Sequence, residues 1–190
     1  LVLDGTLRQN PIWPGKALQR FKDAGNMTDR LGALSALVNA HSELAGPALE
    51  RFHAQFKDEA LVIDKWFTLQ AMAPEQGGKV FARAKALMQH PDFTLRTPNR
   101  ARSLLMALCA NNPAAFHRAD AAGYVFWADR VIDIDAINPQ LAARLARAMD
   151  HWRRLAEPYR TAAGEALSRV AQRTELSDDV REIITRALQD

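Results

Sequence analysis

At Thr97-Pro98, and again at Asn138-Pro139, the chain sets a capping residue directly before a proline, and each of these two pairs opens an amphipathic run. Such a pair fixes where a helix begins. The polar side chain can accept from a free backbone N–H, and proline suits the first helical position because its missing N–H would have no partner there. Apolar residues then recur at spacings of three and four, as in Leu31, Leu34, Leu37 and Val38, or Tyr124, Trp127, Val131 and Ile134. That spacing marks one face of a helix. No segment shows sustained alternation with β-branched residues, the mark of a strand.

The pattern predicts about ten helices joined by short Gly/Pro/Asn turns. We expect an all-α fold, a superhelical α-solenoid of antiparallel helix pairs (HEAT/armadillo-like) rather than a four-helix bundle. Residues 1–15, with Gly5, Pro11 and Pro14, read as an irregular lead-in, and residues 16–190 as a single helical-repeat domain. The predicted inward faces include Leu49, Phe52 and Phe56; Val62, Trp66, Leu69 and Met72; and Leu104, Leu105 and Leu108. Residues 74–78 read as a break, and Asn111-Asn112-Pro113 as a helix end. The helix opened by Pro139 is expected to run to about Arg154, burying Leu141, Leu145, Met149 and Trp152, and Ser177-Asp178-Asp179 to cap the last helix.

Composition narrows the function. A net charge of +3 over 190 residues, scattered along helices, lacks the clustered basic stripe of a nucleic-acid binder. No stretch approaches the roughly 18 apolar residues that cross a membrane. No signal peptide is visible, so a cytoplasmic protein is expected. The single cysteine, Cys109, lies on an apolar run and reads as a buried structural thiol. Leu1 opens on what reads as mid-protein sequence, so a fragment of a longer chain is expected.

Catalytic motifs are missing from the sequence. His41, His53, His90, His117 and His151 form no His-Glu-x-x-His, and neither a Gly-x-Ser-x-Gly nor a glycine-rich phosphate loop occurs. Two polar sets at helix starts remain: Asn99, Arg100 and Arg102, and Asn138, Gln140 and Arg144. Gln140 and Arg144 are four apart and share a face. Arginines in a first turn oppose the helix dipole by a few tenths to about 1 kcal/mol. Either acids elsewhere in the fold or solvent satisfy them, or they await an anion such as the carboxylate of a peptide.

Further stretches carry a family likeness. Asn26-Met27-Thr28-Asp29 with Ala33-Leu34-Ser35-Ala36-Leu37, Leu61-Val62-Ile63-Asp64-Lys65-Trp66-Phe67, Pro98-Asn99-Arg100-Ala101-Arg102-Ser103-Leu104, Asn112-Pro113-Ala114-Ala115-Phe116-His117, and Asn138-Pro139-Gln140 with Arg144-Leu145 occur in that order. Together they resemble the C-terminal domain of the bacterial aminopeptidase N family of gluzincin metallopeptidases. The resemblance runs from about residue 16 to the end and implies a zinc enzyme that removes N-terminal residues from peptides. Its zinc motif and its Gly-x-Met-x-Asn motif would lie in other domains of the same polypeptide, since neither occurs here. This chain would then be an accessory domain without a catalytic residue or metal of its own. It would wall the active-site cavity, restrict access, and meet the peptide's distal carboxylate through Arg102, Gln140 and Arg144. Asn99, Arg100 and Asn138 would be secondary. The sequence departs from the family at Thr97, where asparagine is common; a capping role is expected to survive. The alternative is a free-standing α-solenoid scaffold that binds a protein partner.

Overall fold

The computed structural model describes residues 12–189. These residues form eleven α-helices, two 3-10 turns and no strand. The chain divides into two compact units, Leu1–Pro74 and Glu75–Asp190.

The first unit holds α1 (Ile12–Asp23), α2 (Met27–Asn39), α3 (Ala45–Phe56) and α4 (Ala60–Ala71). Helix α1 packs along α2, α2 meets α3 and α4, and α3 pairs with α4. The helix predicted from residue 16 begins at Ile12, so the last four residues of the expected lead-in are helical. Pro14 sits in the first turn, where proline withdraws no intrahelical bond. The rest of the lead-in, residues 1–11, lies outside the described residues.

Asn26 caps α2, its Oδ1 accepting from the Asp29 N–H at 2.8 Å. The same helix ends in a Schellman motif with histidine in glycine's place. His41 has φ +52°, its N–H donates to Val38 O at 3.0 Å, and the Ser42 N–H donates to Leu37 O at 3.1 Å. The His41 ring offsets the strained backbone by donating from Nε2 to the Pro74 carbonyl at 2.7 Å.

Helix α4 departs from its predicted face. Ile63, Trp66, Phe67, Gln70 and Ala71 are buried, whereas Met72 is 42% exposed and Val62 and Leu69 are half-buried. Both sides of this helix are apolar, so spacing alone could not choose between them. The pairing with α3 decides it: the Trp66 indole N–H donates to Leu49 O at 3.0 Å, which turns the Trp66 side inward. Phe56 of α3, expected inside, is also only half-buried.

The second unit holds α5 (Lys79–Leu87), α6 (Pro98–Cys109), α7 (Pro113–Phe116), α8 (Ala122–Asp135), α9 (Pro139–Ala146), 3-10 turns at Arg147–Met149 and Trp152–Arg154, α10 (Tyr159–Ala171) and α11 (Asp178–Gln189). Helix α8 packs on α9 and α10, and α11 on α9 and α10. The predicted face of α8 is the observed one: Tyr124, Trp127, Val131 and Ile134 are buried. Burying side chains of this size contributes about 1.5–3 kcal/mol each.

Three ends differ from the sequence reading. The break at residues 74–78 carries a cap: the Glu75 carboxylate accepts from the N–H groups of Val80 at 3.2 Å and Phe81 at 3.1 Å, closing the start of α5. Asn112-Pro113 begins a short helix as well as ending one, with the Asn112 side chain accepting from the Ala115 N–H. The helix expected to reach Arg154 stops at Ala146 and tightens into 3-10 turns. Met149 stays buried, but Trp152 is half-buried and donates through Nε1 to Ala187 O at 2.8 Å. Arg153 donates to Ala187 O and, at 2.6 Å, to Leu188 O. Regular helix is given up here to satisfy the last carbonyls of α11. Its other end follows prediction, with Ser177 Oγ accepting from the Val180 N–H at 3.3 Å. The buried Asp135 fixes that serine by accepting from its N–H at 2.8 Å.

Close approach is most severe at Gly123, where an added Cβ would lie 2.0 Å from Phe116 O. Gly123→Ala should destabilise the fold by about 2–4 kcal/mol. Gly32→Ala, in the interior of α2 with nothing within 4 Å of the new methyl, should instead stabilise by about 0.5–1 kcal/mol. Urea unfolding of the two variants beside the parent checks both signs.

Candidate functional site

The two polar sets are built by different local devices. At α6, Thr97 takes an extended N-cap conformation, but its side chain makes no cap hydrogen bond, contrary to the sequence expectation. Pro98 occupies the first helical position. Arg100 then turns inward. It is only 9% exposed, and its guanidinium donates to the Asp92 carbonyl in the linker before the helix. Ser103 Oγ donates to Arg100 O at 2.7 Å. Asn99 and Arg102 stay exposed.

At α9 the cap is made. Asn138 Oδ1 accepts from the Leu141 N–H at 3.0 Å, and Pro139 follows it. Gln140 and Arg144 are both exposed. Because α9 ends at Ala146, Arg144 lies in its last turn, not near the start of a long helix. A cation is favoured there by the negative end of the dipole.

Helices α6 and α9 pack against each other within the second unit. The fold therefore carries Arg102 on one helix and Gln140 with Arg144 on its neighbour. Among the described residues, these three side chains have no hydrogen-bond or ion-pair partner. Most other arginines of the unit are committed: Arg118 to Asp120 at 2.5 Å, Arg160 to Glu157 at 2.8 Å, Arg169 to Asp129 at 2.6 Å. Of the secondary residues, Arg100 and Asn138 serve the backbone; Asn99 faces solvent. A cavity of about 830 Å³ in this unit lies elsewhere, with Trp152, Gly164 and Arg169 in its lining.

The titratable groups nearby are structural in character. Cys109 is buried, and burial pushes its thiol well above the usual range, which keeps it protonated and unreactive. His117 Nδ1 lies 2.9 Å from the Tyr124 hydroxyl. Burial holds the His117 imidazole below its ordinary value. Burial, with Tyr159 adding to it, pushes the Tyr124 phenol up to about 12. Taken by itself, neither unit gathers three His, Cys or carboxylate side chains to metal-binding distance among the described residues.

Comparison with known proteins gives this geometry a context. A family described as "Domain of unknown function (DUF3458_C) ARM repeats" matches residues 2–189. Armadillo-type repeats agree with the all-helical solenoid class expected from helix number and short turns. Aminopeptidase N of Caulobacter vibrioides is 39% identical over 173 residues, which is 91% of this chain and 20% of that protein. Aminopeptidase N of Escherichia coli is 38% identical over 170 residues, 90% of this chain and 19% of that protein. The crystal structure of Legionella pneumophila aminopeptidase A in complex with aspartic acid superposes with a TM-score of 0.87 at 32% identity, covering 94% of this chain and 21% of that one. The chain thus spans about a fifth of the length of the curated relatives it matches.

The His117 environment sets a pH dependence. Its folded-state pKa is depressed below 6.5, so the unfolded chain takes up the proton first as pH falls. Stability is complete above about pH 6.5, declines below it, and levels off once the folded imidazole is also charged. Melting temperatures from about pH 7.5 to about pH 5 should show this decline in the parent and a weaker one in His117→Gln.

Proposed function

This chain belongs to the DUF3458_C ARM-repeat family, and from that premise we propose that it is the C-terminal accessory domain of a zinc-dependent aminopeptidase N. On this reading residues 16–190 act as one helical-repeat domain that walls the active-site cavity and restricts access to peptides. The similarity to aminopeptidases over about nine-tenths of the chain supports it. So does the ordered set of motifs from Asn26 to Leu145.

The observation that carries the proposed role is the uncommitted trio. Arg102 and Arg144 offer forked guanidinium donors suited to a carboxylate, and Gln140 offers an amide for peptide backbone. All three are exposed and stand on two helices in contact. They are the residues to meet the backbone and C-terminal carboxylate of a bound peptide, beyond the bond that is cut. Asn99 is a secondary contact.

In the parent enzyme, zinc held by other domains would polarise the scissile carbonyl and activate water. The partners of this domain are those domains and the substrate peptide. No described helix is long and apolar enough to cross a membrane, and the proposed site of action is the cytoplasm.

In the intact aminopeptidase, Arg102→Ala or Arg144→Ala should lower kcat/KM for tripeptides roughly tenfold, about the loss of one charge-assisted hydrogen bond. Turnover of an aminoacyl p-nitroanilide, which lacks a distal carboxylate, should change far less. Equal losses on both substrates would make the arginines structural. The chain expressed alone should show no zinc-dependent turnover of the p-nitroanilide, and measurable turnover would overturn the accessory role.

A further inference from the structure

We infer that Arg100 is a positioning residue for Arg102: its buried guanidinium, rather than a cap at Thr97, fixes the first turn of α6. The inference rests on the reading of Arg102 as substrate-facing.

A helix start leaves four N–H groups without intrahelical partners, and the first turn frays unless something holds it. Helix α9 is held by the Asn138 cap. At α6 the Thr97 side chain makes no such bond. In its place a cation is buried in the first turn, where the dipole disfavours it. Such a placement persists only when specific contacts compensate it.

One such contact is visible: the Arg100 guanidinium donates back to Asp92 O, eight residues upstream. The linker between α5 and α6 is thereby tied to the turn that carries Arg102, two residues on. With the Arg100 tether gone, the guanidinium would no longer join the turn to the linker at Asp92 O, and Arg102 would sample more orientations. The loss should therefore appear as misplacement of Arg102, not as loss of a substrate contact by Arg100.

The readout is kcat/KM for a tripeptide divided by kcat/KM for an aminoacyl p-nitroanilide, in the intact aminopeptidase. Arg100→Gln should lower this ratio roughly fivefold in the parent background and leave it unchanged in the Arg102→Ala background, since side chains that act as a unit are not additive. The same drop in both backgrounds, or none in either, overturns the inference. If Arg102→Ala by itself leaves the ratio unmoved, the underlying reading of Arg102 falls and the inference falls with it. Should Arg100→Gln yield no folded enzyme, Arg100→Lys replaces it. Lysine keeps one donor toward Asp92 O but not the planar fork, and the expected drop is roughly twofold, again only where Arg102 is present.

Discussion

Helix ends govern this protein. Each helix leaves four donors and four acceptors unpaired, and helices of 8 to 14 residues, such as α9 and α8, have a large share of their backbone in that state. The chain settles these groups with varied devices. Asn26, Asn112 and Asn138 cap in the ordinary way. Glu75 reaches forward over several residues to Val80 and Phe81. Trp152 and Arg153 reach across more than thirty residues to the carboxyl end of α11. Long-range end contacts of this last kind bind one helix to another, so satisfying the backbone also fixes the packing.

The legible part of the fold was the part set by local rules. The buried face of α8 was readable from the three-and-four spacing of Tyr124, Trp127, Val131 and Ile134, although Phe126 beside it is buried as well. Asn138 and Ser177 were readable as caps because their chemistry acts within three residues. Helix α4 and the end of α9, by contrast, depend on partners far along the chain. Helix α4 presents two apolar sides, and only the bond from Trp66 to Leu49 O selects between them. The early end of α9 answers to carbonyls at Ala187 and Leu188, which no local window contains. Glu75 was missed because it caps from outside the usual N-cap position.

The candidate site divides along the same line. That Arg102, Gln140 and Arg144 stay exposed is one of the outcomes that residue type and spacing leave open. That Arg100 turns inward, two residues from an arginine that does not, required the linker carbonyl it meets. The placement of Arg144 in a last turn follows from where α9 stops, and it gives the guanidinium a favourable dipole setting that the interior of a longer helix would not. The proposed function thus draws on surface residues whose types are visible in sequence but whose supports are tertiary.

The buried thiol of Cys109 has a practical corollary. It is the sole sulfhydryl in the sequence, and its surroundings keep it protonated and out of reach of solvent. The domain is in effect thiol-silent. A cysteine introduced at an exposed position of α6 or α9 would be the one site open to a spin label or fluorophore. The orientation of the two helix faces in solution could then be followed without first removing a native cysteine.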